Sequence, residues 1–215
     1  MHLKQKLAIL ILFSIATASC NSEKITLDQS DSSLYFPLNL YDTISYFIEE
    51  KNYTINGIDS TKYYEKHVIT NETEDYYFIN VYSKYENEIS YTLTENYSIT
   101  TQNGEYTENR NNYIKLILSN STEIDHEFDQ NKFNNDDERT LIVTQNNDIS
   151  IPEYNIECDL GIRLDGPSFQ NLIDEQNYIY VFQENKGLIF SVEKNLSTQP
   201  GESTIGHEKT IRRID

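Results

Sequence analysis

Tryptophan is absent from this 215-residue sequence, and methionine, cysteine, proline and glycine number only one, two, four and seven. Two cysteines allow at most one disulfide, so stability must come from the packing of a core. Glycine-rich phosphate loops and the Gly-x-Ser-x-Gly and His-Glu-x-x-His motifs are missing. Basic residues are also few, 17 against 35 acidic ones. The resulting net charge of −18 repels nucleic acid phosphates, so nucleic acid binding is excluded.

Long apolar runs are rare as well, and the longest lies at the start of the chain. Residues 7–15, LAILILFSI, follow the basic residues Lys4 and Lys6. This run is too short for a membrane-spanning helix, which needs ~20 apolar residues, and it has the features of an export signal. The next residues, Thr17-Ala18-Ser19-Cys20, resemble the lipobox of bacterial lipoproteins.

The resemblance to a lipobox implies cleavage before Cys20 and attachment of diacylglycerol to its sulfur. We therefore expect a signal peptide at 1–19, a tether at 20–32 and one domain at 33–215. Buried acyl chains contribute roughly 0.8 kcal/mol per methylene, which makes the membrane the expected partner. Asn21 in place of Asp favours the outer membrane of a bacterial cell envelope. The alternative is an ordinary secretory signal with a coincidental cysteine.

The rest of the chain has the composition and periodicity of β-strands. Seventeen tyrosines and nine phenylalanines accompany frequent Ile, Val and Thr. Apolar residues alternate with polar ones, with polar breaks every 10–15 residues or so. We predict an all-β domain, a single curved antiparallel sheet of roughly 9–12 strands. The alternating sets are Ile44, Tyr46 and Ile48; Ile89, Tyr91, Leu93, Tyr97 and Ile99; Ile114, Leu116 and Leu118; Ile156, Cys158, Leu160, Ile162 and Leu164; Tyr178, Tyr180 and Phe182; and Leu188, Phe190 and Val192.

Three other kinds of segment interrupt the alternation. Asn103-Gly104 predicts a tight turn, and Asn56-Gly57 and Asn185-Lys186-Gly187 predict looser ones. Residues 168–175, with a possible cap at Ser168, predict one short helix. Residues 125–139, DHEFDQNKFNNDDER, are acidic with almost no core residues and predict a mobile loop.

Short segments in the same order resemble a group of small envelope lipoproteins of Bacteroidota-type bacteria. The group opens with Tyr-Tyr/Phe-Pro-Leu, carries a strand with a proline and a cysteine, and closes with a Gly-Leu-Val/Ile step. The resemblance implies a half-barrel-like sheet, as in periplasmic lipoprotein carriers, and supplies no catalytic residues. It rests on Tyr35-Phe36-Pro37-Leu38, Ile44-Ser45-Tyr46, Ile149 to Cys158, Tyr178 to Phe182, Gly187-Leu188-Ile189 and Thr210 to Ile214.

Few residues suggest a chemical role. Cys158, the one cysteine left after Cys20, lies in an apolar alternation and is expected to fill the core rather than to act as a nucleophile. The histidines His67, His126 and His207 are not at metal-ligand spacing, and no metal site or cofactor is predicted. The acids of residues 125–139 could hold a hard cation but match no calcium loop, so a solvated loop is the preferred interpretation.

Tyrosine clusters leave two interpretations open. The rings could line a groove for a sugar, peptide or lipid, or they could cover sheet edges with the hydroxyl in water. The clusters are Tyr63-Tyr64, Tyr76-Tyr77, Tyr82 and Tyr85.

The expected function is a lipid-anchored envelope lipoprotein with a non-catalytic binding or assembly role. Its ligand and its protein partner cannot be named from the sequence, and no catalytic residues are nominated. The first alternative is a carrier that holds a hydrophobic ligand on an open, apolar concave face. The second, from another class, is an envelope hydrolase, which would need a cleft with converging polar groups.

Overall fold

A computed structural model of the protein describes residues 32–74, 76–171, 173–198 and 201–215. The predicted signal peptide, Cys20 and the tether up to residue 31 lie outside these ranges. Among the described residues, no helix is long and apolar enough to cross a bilayer.

Most of the described chain is β-structure. Two short 3-10 helices, Ser32–Tyr35 and Pro152–Tyr154, accompany thirteen strands in these ranges. The strands are β1 Thr43–Thr54, β2 Gly57–Glu72, β3 Tyr76–Tyr85, β4 Thr92–Gln102, β5 Glu105–Arg110, β6 Tyr113–Leu118, β7 Glu127–Asp129, β8 Thr140–Ile151, β9 Ile156–Asp165, β10 Phe169–Gln170, β11 Asp174–Gln183, β12 Gly187–Thr198 and β13 Thr204–Arg213.

The strands form one antiparallel sheet in the order β6-β5-β4-β3-β2-β1-β13-β12-β11-β9-β8-β7, and β10 pairs with β11. The two ends of this path meet. The N–H of Leu116 in β6 donates to the carbonyl oxygen of Gln130, just after β7, at 2.9 Å. The N–H of Ile114 donates to Oδ1 of Asn134 at 3.2 Å. The predicted all-β class with a single curved antiparallel sheet is confirmed, and the curvature goes beyond a half-barrel to a nearly closed, barrel-like form.

The predicted turns lie between paired strands. Asn103 and Gly104 join β4 to β5 with φ of 54° and 78°. Both angles are in the left-handed region that a two-residue hairpin of this type requires and that Asn and Gly tolerate. Asn185 and Gly187, with φ of 59° and 85°, turn the chain from β11 to β12. This agreement is expected because turn chemistry is local.

One end of the barrel-like sheet is covered by the first described residues. Asn185 donates its N–H to the carbonyl oxygen of Leu34 at 2.6 Å, which fixes the 3-10 helix across the β11–β12 turn. Tyr35 is buried in the core of the barrel. The ring of Phe36 lies 5.1 Å from that of Tyr106 and 6.2 Å from that of Phe182. Residues 32–38, which include the Tyr-Phe-Pro-Leu segment, thus form a plug at this end of the sheet.

A second core lies on the outer face of the sheet. There the tip of the β8–β9 hairpin packs against β11 and β12. The register of β8 and β9 shifts twice, between Val143 and Gln145 and between Asn147 and Ile149. Each one-residue bulge moves the following side chains to the other face. The buried residues of this outer core are Ile149, Ile151, Cys158, Ile179, Val181, Phe190 and Val192.

The helix predicted at 168–175 is wrong. Phe169 and Gln170 form β10 and pair with Gln176 and Glu175 at the start of β11. The side-chain oxygen of Asn171 accepts the N–H groups of residues 173 and 174 at 2.6 and 2.7 Å. Such a turn competes with helical hydrogen bonds and reverses the chain.

The prediction that residues 125–139 form a core-free loop is also wrong. This segment contains β7, and Phe128 is buried in the core. The carboxylate of Asp129 accepts the N–H groups of Asn131 and Arg139, each at 2.9 Å, which ties the two ends of the turn together. The segment closes the sheet through part of its polar side chains, while Asp125, Glu127, Asp136, Asp137 and Glu138 are exposed.

Candidate functional site: a polar cavity inside the sheet

A cavity of about 220 Å³ remains inside the barrel-like sheet, next to the plug. Its lining combines two chemistries. The aromatic lining residues are Phe36, Tyr46, Tyr97, Tyr180 and Phe182. The titratable ones are Glu65, His67, Glu108, Arg110, Lys115, Glu193 and Lys209.

Strand register brings the charged residues together. Glu108 in β5 lies opposite Lys115 in β6, and Glu193 in β12 lies opposite Lys209 in β13. Successive side chains of a strand point to opposite faces, so residues two apart share the interior. Glu65 accordingly lies on the same face of β2 as the buried Tyr63. The alternation that builds the core also places these charges inside it.

His67 is at the centre of a hydrogen-bonded group. Its Nε2 is 2.8 Å from Oε2 of Glu65, and its Nδ1 is 3.0 Å from the hydroxyl of Tyr97. The ring of Tyr46 meets the imidazole edge-on at 5.0 Å between centroids. Burial opposes ionisation of Glu65, but the hydrogen bond from His67 together with the nearby charges of Lys209 and Arg110 lowers the pKa of that carboxyl. Burial raises the pKa of Tyr46 and of Tyr97, so both phenols stay protonated at neutral pH.

Arg110, Glu108 and Lys115 are held only loosely. Arg110 Nε is 3.4 Å from Oε1 of Glu108, and its Nη1 is 3.5 Å from Oε2 of Glu95. The guanidinium carbon lies 4.4 Å from the centre of the Tyr97 ring. Lys115 Nζ is 3.9 Å from Oε1 of Glu193. Among the described residues Arg110 Nε is buried without a hydrogen-bond partner.

The other charged lining residues are more tightly bound. The hydroxyl of Tyr180 donates to Oε1 of Glu193 at 2.8 Å, and burial together with that carboxylate raises the pKa of Tyr180. Lys209 Nζ is 2.9 Å from Oε1 of Glu50, which also accepts the hydroxyl of Tyr63 at 2.8 Å. The two sides of the cavity therefore differ in how firmly their charges are paired.

A second depression lies beside the cavity, toward the end of the sheet opposite the plug. This shallower depression shares Glu65 with the cavity and reaches Asn111 in the β5–β6 turn. The plug contacts the β4–β5 turn through Ser32 and Gly104. The β4–β5 and β5–β6 turns lie at opposite ends of β5. The side chains that line the second depression are mostly polar.

The residues singled out from sequence are scattered. Cys158 is buried in the outer core, away from the cavity, and burial raises the pKa of its thiol to about 11. His126 bonds Ser119 at 2.8 Å and His207 bonds Asn52 at 2.9 Å, so only His67 of the three histidines reaches the cavity. In the described part of the chain, no group of three His, Cys, Asp or Glu side chains could hold a metal ion.

Sequence reasoning missed the aromatic residues that matter here. The clustered tyrosines pair across strands, as Tyr63 does with Tyr85 at 5.5 Å between ring centroids. Tyr46, Tyr97 and Tyr180 instead line the cavity. One signal in the sequence could have revealed the site. Glu65 and His67 are spaced two residues apart between the buried Tyr63 and Ile69, so they share the buried face of β2. Glu108 and Arg110 share the face of β5 that buries Tyr106 in the same way. Charge at core positions is a departure from the usual pattern.

The fold and the cavity define a class of protein: an all-β domain with a nearly closed antiparallel sheet around a small polar interior. Comparison with protein-family models, with curated proteins and with solved structures finds no match to this chain.

Proposed function

We propose that this protein is a lipid-anchored lipoprotein of the bacterial cell envelope that binds a small polar molecule inside its sheet. The anchor rests on the export signal and on the lipobox-like block ending at Cys20. Placement in the outer membrane and kinship with the Bacteroidota-type lipoproteins belong to the same proposal. The observation that carries the binding role is the cavity of about 220 Å³ with both aromatic and charged lining.

The lining favours a polar ligand over a hydrophobic one. Three carboxylates and three basic side chains face the cavity. A hydrocarbon chain would remove water from these groups without replacing its hydrogen bonds, which is costly. The fully buried Phe182, Leu116 and Ile162 fill much of the interior. These facts support a small polar ligand more than the carrier of a hydrophobic ligand.

The chemistry of the lining also favours binding over hydrolysis. A nucleophilic hydroxyl or thiol reacts in its deprotonated form, which a raised pKa disfavours. Burial raises the pKa of the phenols of Tyr46 and Tyr97, and it raises that of the Cys158 thiol in the outer core. Protonated hydroxyls of this kind serve as hydrogen-bonding groups, and that of Tyr97 lies 3.0 Å from Nδ1 of His67.

The plug relates the anchor to the site. Ser32, the first described residue, lies at the covered end, where its hydroxyl donates to the carbonyl oxygen of Gly104 at 2.5 Å. The chain from Cys20 therefore joins the domain at this end. The depression that shares Glu65 with the cavity is at the other end, so a lipid anchor leaves that depression free to face away from the membrane.

Filling the cavity tests the binding role. Ser191 lines the cavity and is buried, so Ser191→Leu adds bulk there, whereas Ser150→Leu adds the same bulk at an exposed position of β8. We expect some members of a library of small polar metabolites to raise the melting temperature of the wild type and of Ser150→Leu but not of Ser191→Leu. Circular dichroism confirms folding of each variant. If no compound stabilises the wild type, or all hits persist in Ser191→Leu, the proposal is wrong.

A further inference from the structure

The charges that line the cavity are balanced. Glu65, Glu108 and Glu193 face Arg110, Lys115 and Lys209. On the basis of the binding role proposed above, we infer that the ligand is a small zwitterion, a molecule of the size of a free amino acid with one carboxylate and one ammonium group. The inference names the chemical class of ligand for this site.

The first step concerns unused hydrogen-bond donors. A guanidinium carries five N–H groups and an ammonium three. Arg110 and Lys115 approach carboxylates only at 3.4 to 3.9 Å, beyond the distances of charge-assisted hydrogen bonds. Buried polar groups normally have partners. A ligand carboxylate placed between these two side chains would supply them.

The second step concerns carboxylate acceptors close to these donors. Glu108 contacts Arg110 at 3.4 Å, and Oε2 of Glu193 is 4.0 Å from Nη1 of Arg139. Both carboxylates can accept further hydrogen bonds. An ammonium group supplies three donors to them, which a carboxylic acid without an amine does not.

The third step is the charge balance itself. A ligand with a charge of one sign can pair only with the basic or only with the acidic lining groups, whereas a zwitterion can pair with both. A zwitterion adds one charge of each sign and preserves the balance. It also replaces the long contacts of Arg110 and Lys115 by shorter charge-assisted bonds, which are about twice as strong as neutral ones.

The fourth step is size. A cavity of about 220 Å³ next to the rings of Phe182 and Tyr97 holds a molecule of a few heavy atoms, with a short apolar part against those rings. A peptide or an acyl chain exceeds this space. Small zwitterions such as glycine, L-alanine and γ-aminobutyrate differ in the distance between their charges and can report the spacing of the site.

Calorimetric titration of the full mature domain tests the inference. The probes are glycine, L-alanine, L-serine and γ-aminobutyrate, with propionate, propylamine and glucose as probes that lack one or both charges. We expect at least one zwitterion to bind at least about tenfold more tightly than every control. Equal or tighter binding of propionate, propylamine or glucose would overturn the zwitterion inference and leave the binding role intact. Binding of no probe overturns the inference, and the metabolite screen then decides the binding role.

Variants connect binding to the named side chains. Arg110→Gln should weaken the zwitterion about 30-fold by removing charge-assisted bonds. Its control is Arg163→Gln, which alters an ion pair with Asp165 outside the cavity. Lys115→Gln should give a smaller loss in the same direction and replaces the test if Arg110→Gln does not fold. Unchanged affinity in the folded cavity variants would contradict the site.

Discussion

Glu65 shows at the scale of one residue how this interior tolerates charge. Its side chain is 13% exposed and hydrogen-bonds His67 at 2.8 Å. Burial of a carboxylate is unfavourable unless hydrogen bonds compensate for lost water. The bond from His67 and the nearby charges of Lys209 and Arg110 together offset burial and lower the pKa of Glu65. The ionised carboxylate is therefore part of the folded state.

The lowered pKa of Glu65 predicts a loss of stability in acid. In the unfolded chain the carboxyl binds protons more readily, so its contribution is fully present above its unfolded pKa and disappears as pH falls through its folded pKa. Glu65→Gln should lower the free energy of unfolding at pH 7 by about 1 to 2 kcal/mol and make its decline between about pH 5 and 3 shallower. Urea denaturation at several pH values measures both. The exposed Glu157→Gln variant is the control, and an equal slope in Glu65→Gln and wild type would contradict the assignment.

Bulges decide which face a strand buries at the scale of the element. Cys158 and Ile162 have the same parity in β9, yet Cys158 is in the outer core and Ile162 in the inner one. Between them Leu160 has φ of 52° and is 56% exposed. A left-handed residue inserted in a strand breaks the alternation. The hairpin can therefore fold along the outer face while its base stays in the barrel-like sheet.

Closure of the sheet depends on the side chain of Asn134, whose amide makes the two hydrogen bonds that a neighbouring strand would make. Asn134 accepts from the N–H of Ile114 and donates to its carbonyl oxygen, so one amide replaces a pair of ladder bonds at the edge of β6. Removing one partner leaves backbone groups of β6 without hydrogen bonds.

We therefore expect Asn134→Ala to lower the free energy of unfolding by about 1 to 3 kcal/mol. The amide of Ile114 should also exchange its hydrogen faster. Hydrogen exchange and urea denaturation test this against the neighbouring Asn135→Ala, whose side chain is exposed. Similar stability in both variants would show that closure does not depend on this amide.

The whole molecule combines a closed fold with an expected attachment at one end. The plug of residues 32–38 lies at the covered end, and the depression that shares Glu65 with the cavity is at the other. With a net charge of −18, the domain itself has little affinity for an anionic membrane surface. Membrane association should then depend on the lipid at Cys20.

Cys20→Ala is accordingly expected to release the protein from the envelope fraction and to abolish incorporation of a palmitate analogue. The reason is that acyl chains supply the membrane affinity. Cys158→Ala, which changes the buried thiol only, serves as the control and should fractionate as the wild type does. Cell fractionation with immunoblotting is the measurement. Retention of Cys20→Ala in the envelope would contradict the proposed anchor.

Much of the fold was predictable because its signals are local. The alternation of Tyr46 and Ile48 and the turn at Asn103-Gly104 depend on neighbouring residues only, and both have the predicted roles. The prediction of a helix at 168–175 was wrong because the side chain of Asn171 stabilises a turn, and this turn lets β10 pair with β11. Leu93 is 52% exposed although it alternates with Ile99, because the register of β3 and β4 shifts near residue 82. The local sequence has no simple pattern that predicts where such a bulge lies.

The sequence by itself determined the all-β class, the strongly acidic surface and the turns, since composition and short-range geometry decide these properties. Only the tertiary structure decided that the sheet closes on itself and that Phe36 plugs one end. It likewise decided that Glu108 and Lys115 meet Glu193 across a cavity. The physical reason is that closure and cavity depend on the register of strands far apart in the chain, where a shift of one residue reverses every face.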